Sequence, residues 1–186
     1  ILSRSKLAPL LPVNRYFYSH YTRDVIQFNP ECSRYDSLTT YTLKPGQCFF
    51  SNLEFGNTFR INSRGLRDSE EDLHSPEVIV LGDSQAMGWS VSEGDTFAQK
   101  LQAFQKSKVL NAAISSYGTA RELALLRSLD RSNLKTVVIQ HCDNDEAENK
   151  TYLDSGNKLN VSILEEYSKY KEIQLQNNSR PIWNQL

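Results

Sequence analysis

The chain has 186 residues, of which 39% are hydrophobic, so it is long enough to bury one apolar core. Its net charge is −1 and its basic residues are scattered, which excludes the basic surface of a nucleic-acid-binding protein and favours a small, roughly neutral ligand. No apolar run approaches the roughly 20 residues that a membrane-spanning helix requires. Because the chain begins at Ile1 rather than methionine, we expect a preceding segment, in which a membrane anchor is one alternative.

Residues 1–72 make up the first region of the sequence. They are rich in Tyr, Asn, Ser and Arg and contain short alternating segments, such as 41–43 and 57–61, but no sustained helical period. This pattern predicts an irregular extension packed on the main domain, which we assign to residues 73–186.

Two of the three cysteines, Cys32 and Cys48, flank a turn-rich stretch that contains Pro45-Gly46. A hairpin closed by a disulfide is one interpretation of this stretch, and free thiols are the other. A disulfide would indicate an oxidising compartment, because cytosolic thiols are kept reduced.

Short apolar segments alternate with segments of helical periodicity from Pro76 onward. The predicted strands are 77–81, 108–110 and 136–139, and the predicted helices are 95–104, 119–129 and 162–174. This alternation, with right-handed crossovers, predicts an α/β fold in which helices cover both faces of a parallel sheet. The expected arrangement is three-layer α/β/α of the flavodoxin-like kind.

Two of these helices have apolar residues at helical spacing, which predicts the face that each turns to the core. Asp95 is the predicted N-cap of the first helix. The predicted core residues are Phe97, Leu101 and Phe104 in the first helix and Leu123, Leu126 and Leu129 in the second.

Polar residues follow each of the three predicted strands. The first polar segment is Gly82-Asp83-Ser84, the second is 111–116, and the third contains Asn144-Asp145. Because the carboxyl ends of parallel strands meet at one edge of a sheet, these segments predict a single site there. Ser84 is the candidate nucleophile, and a turn or helix-cap serine is the alternative.

The segments 78–84, 109–119 and 144–145 together resemble blocks I, II and III of the SGNH (GDSL-type) hydrolases, in the same order and with similar spacing. The stretch 62–67 is similar to a lead-in of extracytoplasmic members of that family. The resemblance implies a serine esterase that forms an acyl-serine intermediate, uses no cofactor and lies outside the cytoplasm.

The family's site residues transfer to this sequence position by position. Ser84 would attack the acyl carbonyl, and Asp83 would order its turn. The oxyanion would be held by the backbone N–H of Ser84, a backbone N–H of block II at Ser116, and the side-chain amide of Asn144.

Three features depart from the family pattern. Ser116 and Cys142 replace glycines of blocks II and III, which puts the backbone fit in question, since glycine tolerates dihedral angles that other residues avoid. No Asp-x-x-His motif follows Asn144, so the expected general base is missing. We expect that block beyond Leu186, which would leave the present fold incomplete at its C-terminus.

Histidine occurs at three positions, His20, His74 and His141. His141 follows the third strand and is either a catalytic base or a structural residue, whereas the other two are expected at the surface. The acidic stretch 143–148 has two interpretations as well, a cation site or a solvated loop.

The expected substrate is a small-molecule or glycan acyl ester, with O-acetyl groups of carbohydrates favoured by the similarity to extracytoplasmic family members. Two alternatives are kept. One is a binding module that retains the nucleophile turn but not the chemistry, and the other is an acyltransferase that uses the same serine.

Overall fold

The computed structural model describes residues 25–51, 55–143 and 145–179. The strands are β1 Ser33–Asp36, β2 Thr40–Leu43, β3 Gly46–Ser51, β4 Gly56–Ile61, β5 Val78–Leu81, β6 Val109–Asn111 and β7 Thr136–Ile139. The α-helices are α1 Ser84–Met87, α2 Phe97–Gln105, α3 Thr119–Ser128, α4 Asp145–Asp154 and α5 Leu164–Ser179. Within the described ranges, no helix is long and apolar enough to cross a membrane.

A parallel sheet with the strand order β6–β5–β7 forms the centre of the fold. Val78 of β5 pairs with Val109 of β6 on one side and with Thr136 of β7 on the other. The chain therefore moves from β5 to one side of the sheet and then crosses to the other. The predicted mixed α/β fold with a parallel sheet is confirmed.

Strand β5 is buried on both faces, as expected for its continuous apolar run. Val78 and Val80 belong to a cluster that includes Met87, Ala98 and residues of β3 and β4. Ile79 and Leu81 belong to a second cluster on the other face, which includes residues of β6, α3 and α5.

Residues 33–61 fold into two antiparallel hairpins, β1–β2 and β3–β4, instead of the expected irregular extension. The alternating segments 41–43 and 57–61 coincide with β2 and most of β4. Asp36 closes the first hairpin, because its Oδ1 accepts hydrogen bonds from the backbone N–H groups of Leu38 and Thr39, both at 2.9 Å.

Cys32 and Cys48 form a disulfide, with their Cα atoms 5.3 Å apart. The expected turn was misplaced, since Pro45-Gly46 connects the two hairpins and the turn within the first is at 37–39. The disulfide thus joins the start of one hairpin to a strand of the other, and it is compatible with an oxidising compartment.

Helix α2 differs from its prediction in its cap and in part of its buried face, although the predicted core residue Leu101 does pack against the core. Thr96 is the N-cap, with its Oγ1 accepting from the Gln99 N–H at 3.3 Å, whereas Asp95 ends a 3₁₀ turn. Phe97 and Phe104 are 51% and 86% exposed. The fully buried residue is Ala98, whose small side chain lets the helix pack closely on the sheet.

The remaining helices also differ from the sequence predictions. At α3, the predicted core residues Leu126 and Leu129 do pack in the core, whereas Leu123 is exposed and Leu125 is buried in its place. Helix α4 was not predicted, because its sequence has no apolar periodicity. Helix α5 continues to Ser179, past the expected end at 174.

Candidate active site

The first polar segment turns sharply at the end of β5. Gly82 has φ +152°, and a Cβ there would lie 2.6 Å from the Ala86 Cβ and 2.9 Å from the Gln140 Oε1. Glycine is therefore required both by the backbone conformation and by the space available. The turn lies where the strand order reverses, which is the usual ligand position in open α/β sheets.

Asp83 orders the turn that presents Ser84. The Asp83 side chain is buried and accepts a hydrogen bond from the Gln85 N–H at 2.9 Å, as an N-cap of α1. The Asp83 and Ala86 N–H groups both donate to the Gln140 Oε1 at 3.3 Å. Gln140, which was not predicted from the sequence, thus joins the end of β7 to the turn.

Ser84 is half-buried and is the first residue of α1. A residue at this position has no intrahelical acceptor for its N–H. The Ser84 N–H donates no hydrogen bond to any of the residues described, so it is free to meet a ligand.

Ser116 of the second polar segment is exposed and has φ +62°, the left-handed conformation that glycine favours. The serine that replaces the family's block II glycine therefore adopts a strained backbone conformation, in a turn that suits glycine. Gln27 Nε2 donates to the Ser116 Oγ at 3.2 Å. Among the described parts of the chain, the Ser116 backbone N–H has no acceptor.

The second polar segment is held on both sides. The Ile114 N–H donates to the carbonyl of Gly82 at 3.1 Å, which ties the segment to the nucleophile turn. From the first hairpin, the Tyr41 hydroxyl donates to the carbonyl of Ser115 at 2.6 Å. Burial raises the pKa of Tyr41, which keeps this hydroxyl a neutral donor.

The third polar segment contacts the turn through Cys142. Its Sγ accepts from Gln85 Nε2 at 3.8 Å, and its N–H donates to the Asp145 Oδ2 at 3.0 Å. Asn144, the expected oxyanion donor, lies outside the described residues. The structure brings the first and second polar segments together, with Cys142 beside them.

Neither of the two described histidines makes a hydrogen bond to Ser84. The His141 side chain is 64% exposed, and its Nε2 lies 3.8 Å from the Asp145 Oδ2. No hydrogen bond joins His141 to Ser84 in the part of the chain that is described. His74 is exposed ahead of β5, at the opposite edge of the sheet, and His20 lies outside the described residues.

A buried glutamate, Glu122 of α3, was not predicted from the sequence. Its side chain is 1% exposed, and neither carboxyl oxygen has a hydrogen-bond partner among the described residues. Its pKa is raised to about 8, mainly by burial and also by the nearby Asp145 and Asp83 carboxyls. Its burial could have been inferred from the sequence, because Glu122 lies three residues before Leu125, and residues at that spacing share a helical face.

The acidic stretch 143–148 was interpreted as either a solvated loop or a cation site, and the structure does not form the loop. Asp145 is fully buried and begins α4, and Glu148 pairs with Arg121 at 3.3 Å. For a cation site, three or more ligating side chains would have to lie together. The described residues contain no such group.

Comparisons with protein-family models, with curated proteins and with solved structures find no match to this chain.

Proposed function

We propose that this chain is a serine esterase of the SGNH type, with a flavodoxin-like three-layer α/β/α fold and with Ser84 as its nucleophile. The observation that carries the proposal is the position of Ser84. It follows the central strand at the point where the strand order reverses, and its N–H and that of Ser116 are free of partners among the described residues.

The proposed reaction begins with attack of the Ser84 Oγ on the acyl carbonyl while a base takes the hydroxyl proton. The tetrahedral oxyanion accepts hydrogen bonds from the Ser84 and Ser116 N–H groups and from the Asn144 amide. Each such donor contributes about 3 kcal/mol to transition-state stabilisation. The alcohol then leaves with a proton, and water hydrolyses the acyl-serine.

The substrate we propose is an acyl ester, with the O-acetyl group of a glycan as the favoured case. The preference rests on the similarity of residues 62–67 to a lead-in of extracytoplasmic family members. The Cys32–Cys48 disulfide supports the extracytoplasmic location.

The second candidate function is a binding module that recognises acyl or glycan groups without cleaving them. The observation that favours it is the placement of His141, whose Nε2 lies near Asp145 and which makes no hydrogen bond to Ser84. Without a base, a serine hydroxyl is a poor nucleophile at neutral pH.

Hydrolysis of p-nitrophenyl acetate and of an acetylated oligosaccharide separates these functions. The esterase predicts turnover that is lost in Ser84→Ala, and no turnover with retained binding of the oligosaccharide would favour the module. His141→Gln is the second variant, because loss of turnover there would identify His141 as the base. Added free sugar that becomes acetylated would indicate an acyltransferase.

A further inference from the structure

Arg67, at the end of the lead-in stretch 62–67, is buried under the segment that contains the nucleophile. Its side chain is 1% exposed. Its Nη1 donates to the carbonyl oxygens of Met87, at 3.3 Å, and of Gly88, and its Nη2 donates to that of Val91 at 2.8 Å. One guanidinium group therefore binds three carbonyls at the C-terminal side of α1.

The arginine and the end of α1 fit each other closely. Gly88 is the C-cap of α1 with φ +84°, and a Cβ there would lie 3.0 Å from the Arg67 Nη1. The guanidinium also lies over the Phe59 ring, with its Cζ 4.4 Å from the ring centroid. A flat, forked donor is needed to reach this set of acceptors, which a lysine cannot match.

The next residue, Asp68, binds the second polar segment. Its buried carboxylate accepts from the Asn111 N–H at 2.6 Å and from Gln99 Nε2 at 2.9 Å. Asn111 is the last residue of β6, where the second polar segment begins. Two adjacent side chains thus bind the two segments that make up the site.

The stretch 62–68 is itself fixed by a tight turn. The Asn62 Oδ1 accepts from the N–H groups of Arg64, at 3.2 Å, and Leu66, at 3.1 Å. This turn sets the direction from which Arg67 and Asp68 enter the fold.

We propose that Arg67 and Asp68 form a positioning clamp, in which Arg67 fixes the four-residue helix that begins with Ser84 and Asp68 fixes the start of the second polar segment. A single helical turn is not stable without such contacts, because nucleation of a helix is unfavourable. The catalytic part of this inference rests on the proposed function, whereas its structural part does not.

Amide hydrogen exchange tests the clamp directly. Arg67→Lys keeps the positive charge but loses the forked guanidinium. We therefore expect the amides of residues 85–91 to exchange about tenfold or more faster, with the exchange of β4 unchanged. Arg64→Lys is the matched control, since Arg64 is a neighbouring arginine that donates to Ser128 instead. Exchange at 85–91 that stays unchanged, or that rises equally throughout the chain, would overturn the proposal.

A second variant covers the case in which Arg67→Lys does not fold. Asp68→Asn removes the carboxylate, and we expect about tenfold faster exchange at 111–114 while 85–91 stays protected. Unchanged exchange at 111–114 would contradict the clamp.

Turnover of p-nitrophenyl acetate gives the functional reading. A kcat about tenfold lower in folded Arg67→Lys, with Arg64→Lys at the wild-type value, would fit the positioning role. A wild-type kcat in Arg67→Lys would refute it. If the wild-type chain hydrolyses no ester, the proposed function fails, and the exchange data still decide on the clamp.

Discussion

At the scale of single residues, Glu122 and Ser116 depart most from what their surroundings favour. Glu122 is a buried carboxyl close to Asp83 and Asp145, and it has no hydrogen-bond partner in the described part of the chain. Ser116 adopts a left-handed backbone in which a Cβ is unfavourable. Both residues adjoin the candidate site, and each leads to a measurable consequence.

Glu122 is expected to make stability depend on pH. Its pKa is raised from 4.5 to about 8, so the folded state holds a proton that the unfolded state releases between these values. With respect to this group, stability is therefore greatest below about pH 4.5 and falls as the pH rises to about 8. The upper limit of this fall is roughly 1.4 kcal/mol for each pH unit in that interval.

The comparison of Glu122→Gln with the wild type isolates this effect. Asp68 also has a pKa raised, to about 7, mainly by burial, so the wild-type slope includes both groups. We expect the melting temperature of Glu122→Gln to fall less than that of the wild type between pH 5 and pH 8. Glu146→Gln, at an exposed position of α4, should keep the wild-type slope. Equal slopes in all three proteins would refute this role for Glu122.

Ser116→Gly is expected to stabilise the fold. The substitution relieves the strain of the left-handed backbone, which costs about 1–2 kcal/mol. Part of this stabilisation is offset because glycine raises the conformational entropy of the unfolded chain. A net rise of a few degrees in melting temperature should result. Ser115→Gly is the control, because Ser115 is buried without a positive φ and should lose stability. A lower melting temperature in Ser116→Gly would contradict the argument.

At the scale of the elements, the disulfide and the two hairpins matter most. Cys32 and Cys48 are 16 residues apart, and closing a loop of that length stabilises the fold by about 3 kcal/mol in the chain-entropy view. Strand β2 of the first hairpin carries Tyr41, whose hydroxyl donates to the Ser115 carbonyl in the second polar segment.

Alkylation of the chain in denaturant, with and without prior reduction, followed by mass measurement, checks the pairing. A disulfide predicts that the unreduced chain takes up one alkyl group, at Cys142, which lies outside the disulfide, and that the reduced chain takes up three. Reduction should also lower the melting temperature by several degrees. Three alkyl groups without reduction would show that the pairing is absent.

The three strands of the parallel sheet were predictable from sequence, but the four hairpin strands were not, and the helix faces were only partly so. The run Val78–Leu81 indicates a buried strand by composition alone. Burial of Ala98 in place of Phe97 depends on how closely α2 approaches the sheet, which periodicity does not reveal. Helix α4 lacks an apolar stripe, so it depends on tertiary contacts such as that of Glu148 with Arg121.

At the scale of the whole molecule, the candidate site depends on contacts between distant parts of the chain. Gly82 and Ser84 were identified from their order after a strand, and the parallel sheet explains why the polar segments meet. The roles of Gln140, Tyr41 and Arg67 were not predictable, because each acts through a hydrogen bond to a backbone group remote in sequence.

Treatment with a fluorophosphonate probe, followed by intact mass measurement, tests the central claim most directly, because this reagent phosphonylates only an activated serine. The account predicts a single adduct on the wild-type chain, located by proteolysis to the peptide with Ser84 and absent in Ser84→Ala. A folded wild-type chain that remains unmodified, or an adduct that persists in Ser84→Ala, would contradict the assignment of Ser84 as the nucleophile.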